Sequence, residues 1–175
     1  MNWYVLMVKT GQEHKASKEI ENSWKMKDVL PFIPMKESYF RKAKQLKKET
    51  EIMFPSYVFV ESEIHEKEFS TCTLDYIKRS QAILKLLRYD GSNEIAIREN
   101  ECAFLKSILN EKYCVESSKG IIKGDNIIIT EGVFAGRESI IVKINRHKMQ
   151  AIVEMEFMGG IRLVTIGLEI LKKLQ

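Results

Sequence analysis

The C-terminal third of the chain is dominated by five short β-branched runs that are separated by turn residues. Glycines and polar residues divide the runs, among them Gly159-Gly160 and Gly167. Short strands at such regular spacing predict an all-β unit. A flat sheet of this size would not cover its own core, so we expect a small, strongly curved β-barrel. The predicted strands are 126–130, 139–144, 150–157, 161–165 and 169–171.

The N-terminal part alternates between strand and helix patterns. An aromatic and β-branched run at 3–8 predicts a buried strand, and Ala16, Ile20 and Trp24 recur every four residues, as on one helix face. Several adjacent strands among the helices favour an antiparallel α+β sandwich over a doubly wound parallel sheet. The remaining predicted elements are an edge strand at 29–35, a projecting hairpin or mobile loop at 36–52, strands at 54–60 and 82–88, and helices at 63–80 and 98–112.

A short polar stretch separates the two patterns. Glu116-Ser117-Ser118 lies where the periodicity weakens, and such composition is typical of a linker. We therefore predict an N-terminal domain at 1–112, a linker at 113–122 and a C-terminal domain at 123–175.

Composition excludes several classes of protein. With 45% apolar and 30% charged residues the chain is that of a globular protein. It has no apolar run near the eighteen or so residues that a membrane span needs, and its start lacks a signal-peptide pattern, so we expect a cytoplasmic protein. Three cysteines without a CxxC pair indicate neither disulfides nor zinc. There is no GxSxG, P-loop or GxGxxG, so we expect no catalytic residues, cofactor or metal.

Positive charge is concentrated toward the C-terminus. Residues 119–175 carry nine Lys or Arg against six acids, most of the net charge of +4. This excess favours a polyanion such as RNA as partner. A second basic segment, 36–48, fits a solvated charge run and a nucleic-acid contact equally well.

Two motifs in the same order resemble a known family. Lys123-Gly124-Asp125 precedes a strand and Glu131-Gly132-Val133-Phe134-Ala135-Gly136-Arg137 follows it, which resembles the KOW motif. Trp3-Tyr4-Val5 opening the first strand, with Phe54-Pro55-x-Tyr57-Val58-x-Val60 later, resembles the NusG N-terminal domain. The chain is thus identified as similar to the bacterial NusG transcription factors, which implies an NGN-type sandwich followed by a KOW barrel.

The resemblance implies that the N-terminal domain binds the clamp helices of RNA polymerase through an aromatic depression. Strand alternation would equally bury these residues in the core. Tyr57 and Phe59 are the foremost candidates, because residues two apart share a face and could be exposed together. The matching residues are Trp3, Tyr4, Met7, Phe54, Pro55, Tyr57 and Phe59.

Departures from the housekeeping pattern resemble the specialised antiterminators RfaH and, above all, LoaP. Ser56 and Ser139 stand where glycine is usual, and Ser80-Gln81-Ala82-Ile83 replaces a proline-glycine-valine. A LoaP-like factor implies a monomer whose KOW domain binds a structured RNA hairpin in the nascent leader transcript, with non-template DNA as a further partner. A general NusG-type elongation factor, whose KOW domain binds protein partners, is the alternative, and a ribosome-associated KOW protein is a third. The candidate RNA-binding residues are Lys123, Arg137, Arg146, His147 and Lys148.

Overall fold

The computed structural model describes residues 1–26, 28–42, 45–124 and 126–174. Lys44 of the basic segment and Asp125 of the motif before the second part lie outside the described residues. The chain divides into two compact units. Unit 1 comprises Met1–Pro34, Phe54–Ala103 and Phe157–Gly160, and unit 2 comprises Met35–Met53, Phe104–Glu156 and Ile161–Gln175.

Twelve strands, three α-helices and one 3-10 helix are described. In chain order they are β1 (Asn2–Val8), α1 (Glu13–Ser23), β2 (Val29–Phe32), β3 (Met35–Lys42), β4 (Gln45–Ile52), β5 (Tyr57–Ser62), α2 (Glu66–Arg79), β6 (Ile83–Leu86), α3 (Glu99–Ile108), β7 (Cys114–Val115), β8 (Ser118–Lys123), β9 (Asn126–Glu131), the 3-10 helix (Glu138–Ile140), β10 (Ile141–Asn145), β11 (Gln150–Phe157) and β12 (Gly160–Leu174).

Unit 1 is built on a four-stranded sheet in the order β2-β5-β1-β6. Each pair in it is antiparallel, which confirms the predicted α+β sheet. β2 contains Pro31, which has no backbone N–H to donate to a neighbouring strand. The position of β2 at an edge of the sheet fits this missing donor. The predicted N-terminal helices are confirmed with ends that differ by a few residues, because helix ends depend on local capping.

One face of this sheet packs against helices. Tyr4 of β1 stacks on Phe69 of α2, with ring centroids 3.8 Å apart and an interplanar angle of 11°. The Tyr4 hydroxyl donates a hydrogen bond to the Ile64 carbonyl oxygen at 2.5 Å. Ala16 and Ile20, which the four-residue spacing of α1 singled out, are also buried. Burial raises the pKa of Tyr4 to about 12.

A tight turn at 54–57 connects unit 1's second aromatic strand to the preceding chain. Ser56 has φ +71, in the left-handed region that favours glycine. The Glu13 carboxylate accepts hydrogen bonds from the Ser56 N–H at 2.7 Å and from the Gly11 N–H at 3.2 Å. Burial acts to raise the pKa of Glu13, but these backbone hydrogen bonds outweigh it and lower the pKa. The Glu13 side chain of α1 thus holds this turn in place.

Replacing Ser56 with glycine should stabilise the protein by about 0.5–1 kcal/mol, because glycine relieves the left-handed strain at some cost in chain entropy. Differential scanning calorimetry would show a higher Tm. The substitution also removes the hydroxyl that lies 2.7 Å from the Thr10 hydroxyl. Thr10→Ala measures that loss separately, and a lower Tm for Ser56→Gly than for Thr10→Ala would refute the strain argument.

The basic segment 36–48 belongs to unit 2 and includes a β-hairpin of β3 and β4, one of the two forms predicted for it. Lys36 is buried, pairs with Glu51 at 2.9 Å and donates to the Thr165 carbonyl oxygen at 2.6 Å. Lys48 pairs with Glu37 at 3.0 Å. Burial acts to raise the pKa of Glu37, but hydrogen bonds from Ser117 and Lys48 outweigh it and lower the pKa. Two lysines of this segment are therefore paired with carboxylates.

The predicted linker 113–122 is largely strand. β7 pairs in parallel with β3, and β8 pairs with both β9 and β12. Two of the polar residues that suggested a linker have structural roles. Ser117 donates its N–H to the Glu37 carboxylate at 2.7 Å, and Ser118 is fully buried.

The C-terminal strands of unit 2 form a five-stranded sheet in the order β10-β11-β12-β8-β9. The predicted closed barrel is not confirmed, because among the described residues β9 and β10 lie at the two edges of this sheet. The sheet has five strands, as many as were predicted, but two of the segments differ: β8 was not foreseen, and the runs predicted at 161–165 and 169–171 both belong to β12. Gly167 lies inside that strand instead of in a turn.

Gly167 has a packing role that explains its place in β12. A Cβ built there would lie 2.9 Å from the Glu37 carbonyl oxygen and 2.9 Å from the Ser117 Cβ. The glycine therefore permits a close approach of neighbouring backbone, which sequence patterns do not distinguish from a turn.

Across the described residues no helix combines the length and apolarity that a membrane crossing requires.

Candidate binding surfaces

The second face of the unit 1 sheet is aromatic. We define the aromatic face as Trp3, Phe32, Phe54, Tyr57 and Phe59. Ring centroids lie 4.9 Å apart for Trp3 and Phe32, 5.4 Å for Phe32 and Phe59, and 5.8 Å for Phe54 and Phe59. Four of the five were predicted as polymerase-binding residues. Phe32 was missed because it lies in a strand punctuated by prolines.

Only part of the predicted polymerase-binding set is accessible. Pro55 is exposed, and Met7 and Tyr57 are half-buried. Met7 and Tyr57 are direct partners across β1 and β5, so their side chains lie side by side on one face. These three residues form the accessible edge of the aromatic face.

The other predicted residues are buried. Tyr4 points to the helix side of the sheet, where Phe69 covers it. Trp3 and Phe54 are 3% and 4% exposed, and Phe59 is fully buried. The expectation that Tyr57 and Phe59 are exposed together is therefore wrong for Phe59. They do share a face, but an aromatic residue from far along the chain covers one of them.

That residue is Phe157, which belongs to unit 1 although it ends β11. Its ring stacks on Phe54 at 4.6 Å with an interplanar angle of 12°, and lies 5.6 Å from Phe59 and 5.7 Å from Tyr57. In the sequence Phe157 looks like any inward residue of an alternating strand, so no local signal identifies this contact.

A basic turn joins β10 to β11 in unit 2. Arg146, His147 and Lys148 are all exposed at this turn. The Asn145 side-chain oxygen accepts a hydrogen bond from the Lys148 N–H at 3.0 Å, and the Met149 N–H donates to the Arg146 carbonyl oxygen at 3.2 Å. Local hydrogen bonds thus hold the backbone while three side chains project together. Glu169 lines the adjoining pocket beside Arg146 and His147, so the surface is of mixed charge there.

The other two predicted RNA-binding residues are not in this cluster. Met149 accepts a hydrogen bond from the Leu168 N–H, and Leu168 is the register partner of Ser118 at the start of β8. Lys123 is exposed at the opposite end of β8, five residues further along and so about 16 Å away.

Arg137 is half-buried and engaged with α3. Its guanidinium donates to the Ser107 hydroxyl oxygen at 2.9 Å and lies 5.6 Å from the centre of the Phe104 ring. These contacts restrict the side chain, so Arg137 is less free to meet a phosphate than the residues of the basic turn.

Unit 2 also exposes apolar side chains on two strands of its five-stranded sheet, β10 and β12, which are separated by β11. Val142 of β10 is 52% exposed, and Ile161 and Leu163 of β12 are 58% and 63% exposed. A contiguous group of such side chains is typical of a protein-binding surface, whereas single ones are normal on any protein surface. No group of three or more His, Cys, Asp or Glu residues suited to a metal ion occurs within the described ranges.

Comparison with known proteins agrees with this architecture. A family model described as "Transcription termination factor nusG" matches residues 1–106. The chain is similar to the transcription termination/antitermination proteins NusG of Chlamydia trachomatis serovar D and of Chlamydia muridarum. Each is 23% identical to it over 168 residues, covering 90% of this chain and 86% of the relative.

Proposed function

Because the chain belongs to the NusG family of transcription termination and antitermination factors, we propose that it is a processive antitermination factor with two binding modules. The N-terminal module, 1–112, binds the clamp helices of RNA polymerase, and the C-terminal KOW-type module, 123–175, binds a structured RNA hairpin in the nascent leader transcript. This assignment places the chain with the LoaP-like specialised members of the family.

The accessible edge of the aromatic face supports the polymerase contact. Tyr57 offers an aromatic ring with a polar end, and Met7 beside it offers a flexible thioether side chain, a combination suited to packing against a helical partner. Pro55 extends this edge as an exposed residue. The other four residues of the predicted set are buried and support this edge from the interior of unit 1: Trp3, Tyr4, Phe54 and Phe59.

The basic turn is the observation that carries the RNA assignment. Three side chains with cationic or titratable groups project from consecutive positions on a backbone held by its own hydrogen bonds. RNA helices are recognised mainly through shape and phosphate contacts, which long cationic side chains supply. Lys123 and Arg137 lie outside this cluster, so we assign the main contact to Arg146, His147 and Lys148.

Changing Arg146 and Lys148 together to alanine should weaken binding of a structured leader RNA by about ten-fold at moderate salt. The salt slope should fall by about 2, because each removed cation leaves one phosphate without a partner on the protein. A gel-shift titration of the full chain at several salt concentrations measures both quantities.

The matched control is Lys172→Ala with Lys173→Ala, which removes the same charge from exposed positions on β12. A general electrostatic effect would change the slope equally in both double variants. Unchanged affinity and slope in the Arg146 and Lys148 variant would refute the assignment of the basic turn.

The alternative is a general elongation factor whose C-terminal module binds a protein. The exposed Val142, Ile161 and Leu163 favour it, because apolar side chains contribute more to protein interfaces than to phosphate contacts. Replacing Leu163 with aspartate and measuring RNA binding separates the two functions. Retained RNA affinity would assign this apolar surface to another partner.

A further inference from the structure

A pocket of about 620 Å³ adjoins the basic turn in unit 2. Arg146 and His147 line it from the turn, and Glu169 of β12 lines it as well. Its volume lies within the range of roughly 300–1,000 Å³ that is usual for small-molecule sites. The pocket therefore has room for a planar ring as large as a nucleobase. Three apolar residues belong to its lining: Ile144, Met149 and Ile170.

Backbone hydrogen bonds fix the position of Glu169 relative to the turn. The Leu168 N–H donates to the Met149 carbonyl oxygen at 2.9 Å, which joins β12 to the end of the turn. Glu169 follows Leu168 directly, and its register partner in β8 is Lys119. The sheet itself therefore holds this carboxylate beside the cationic side chains of the turn.

Glu169 is the residue that a purely phosphate-binding surface does not explain. Its side chain is half-buried, and within the described part of the chain its carboxylate has no hydrogen bond or ion pair. The ammonium group of Lys119 pairs with Glu131 at 2.8 Å. A carboxylate in this place repels phosphate groups, but it is a strong acceptor for N–H donors. The pocket thus fits a ligand that offers N–H groups beside its phosphates.

Guanine has the hydrogen-bonding edge that this arrangement matches. Its N1–H and N2 amino groups lie side by side, so both can donate to the two oxygens of one carboxylate. Adenine and cytosine each have an acceptor next to their amino group, and uracil has one N–H between two carbonyl groups. Cationic side chains such as Arg146 bind the O6 and N7 acceptors of guanine or a flanking phosphate. Unpaired loop bases are the parts of RNA that proteins read most through these edges.

We propose that the pocket beside the basic turn binds an unpaired guanine base, and that Glu169 is the residue that selects it. Glu169 accepts hydrogen bonds from the N1–H and N2 amino groups, while Arg146 and His147 bind the remaining acceptors or the adjoining phosphate. The apolar residues of the pocket contact the ring. This inference deepens the proposed function and rests on it for the source of the base, a loop guanosine of the RNA hairpin. A free guanine nucleotide offers the same edge.

Hairpin RNAs with one stem and a uridine loop test the selection by gel shift with the full chain. A single guanosine, moved through the loop positions in turn, should raise the affinity by about ten-fold at one of them. Inosine at that position should lose most of the gain, because it lacks the N2 amino group. Glu169→Gln should remove the preference for guanosine over uridine and leave the salt slope unchanged, because it removes no cation.

Glu154→Gln is the matched control, since it removes the same charge from an exposed position on β11 outside the pocket. The preference for guanosine should persist in this variant. A preference that survives in Glu169→Gln, or that disappears equally in both variants, would overturn the role of Glu169.

An amide NMR titration of the full chain with guanosine monophosphate separates the two sources of the base. The signals of Met149 and Ile170 should move in the wild-type chain but not in Glu169→Gln, and adenosine monophosphate should move neither. A guanosine preference among the hairpins assigns the pocket to an RNA loop, and shifts without that preference assign it to a free nucleotide. Absence of both would overturn the guanine pocket even where RNA still binds. Guanine-dependent shifts without binding of any hairpin would refute the proposed function and leave the pocket standing.

Discussion

Replacing Phe69 with alanine should lower the free energy of unfolding of unit 1 by about 3–5 kcal/mol, the usual cost of removing a fully buried phenylalanine. Phe69 is completely buried, stacks on Tyr4 at 3.8 Å and lies 6.5 Å from Trp24. The substitution leaves a cavity on the helix side of the sheet and removes the ring pair that holds α2 on β1. Denaturant unfolding followed by tryptophan fluorescence measures the change, because both tryptophans of the sequence lie in unit 1.

The same helix supplies the control. Leu74 of α2 is 49% exposed, so Leu74→Ala should cost less than about 1 kcal/mol. Similar losses for the two variants would show that helix formation, and not the Tyr4 and Phe69 stack, limits stability. That result would also weaken the conclusion that Tyr4 is a core residue and not a polymerase contact.

Replacing Gly132 with alanine should lower the free energy of unfolding of unit 2 by about 3 kcal/mol or more. Gly132 has φ +109, a conformation that L residues rarely adopt, and an added Cβ would overlap the Ser118 hydroxyl oxygen and lie 3.0 Å from the Ser118 Cα. Strain and overlap therefore act together. Hydrogen exchange of the β8 and β9 amides, measured by NMR, reports the loss of stability.

Gly136→Ala is the matched control in the same loop. Gly136 has φ +75, but nothing lies within 4 Å of the position of its Cβ, so the cost should be about 1–2 kcal/mol from backbone strain alone. The difference between the two variants measures the close approach to Ser118. Equal costs would mean that the loop moves away from β8 without penalty.

Much of the fold was predictable because its causes are local. The spacing of Ala16 and Ile20 places both on one face of α1, and the alternating aromatic residues of β1 and β5 mark a sheet with two covered faces. The two glycines of the 131–137 loop have positive φ, and Phe134 between them is fully buried. These features depend on backbone geometry and on the burial of apolar side chains within a few residues.

Other predictions failed where the deciding neighbour is distant in sequence. Gly167 resembles a turn residue, but it serves a close approach to Glu37 and Ser117 within β12. Part of the predicted linker lies in β7 and β8, and Ser117 between these strands donates its N–H to Glu37, eighty positions earlier. Closure of a barrel depends on which edge strands pair, and alternation within each strand contains no information about that pairing.

Local periodicity, turn chemistry and motifs were enough to identify a NusG-family chain with an antiparallel α+β sheet, a β-rich C-terminal part and a cationic turn at Arg146–Lys148. Three further properties emerged from tertiary packing: Phe157 covers Phe59, Glu101 holds the turn that carries Phe157, and Lys123 lies apart from the basic turn. Each of these relations joins residues tens of positions apart, so it depends on how whole elements pack and not on the pattern within any one of them.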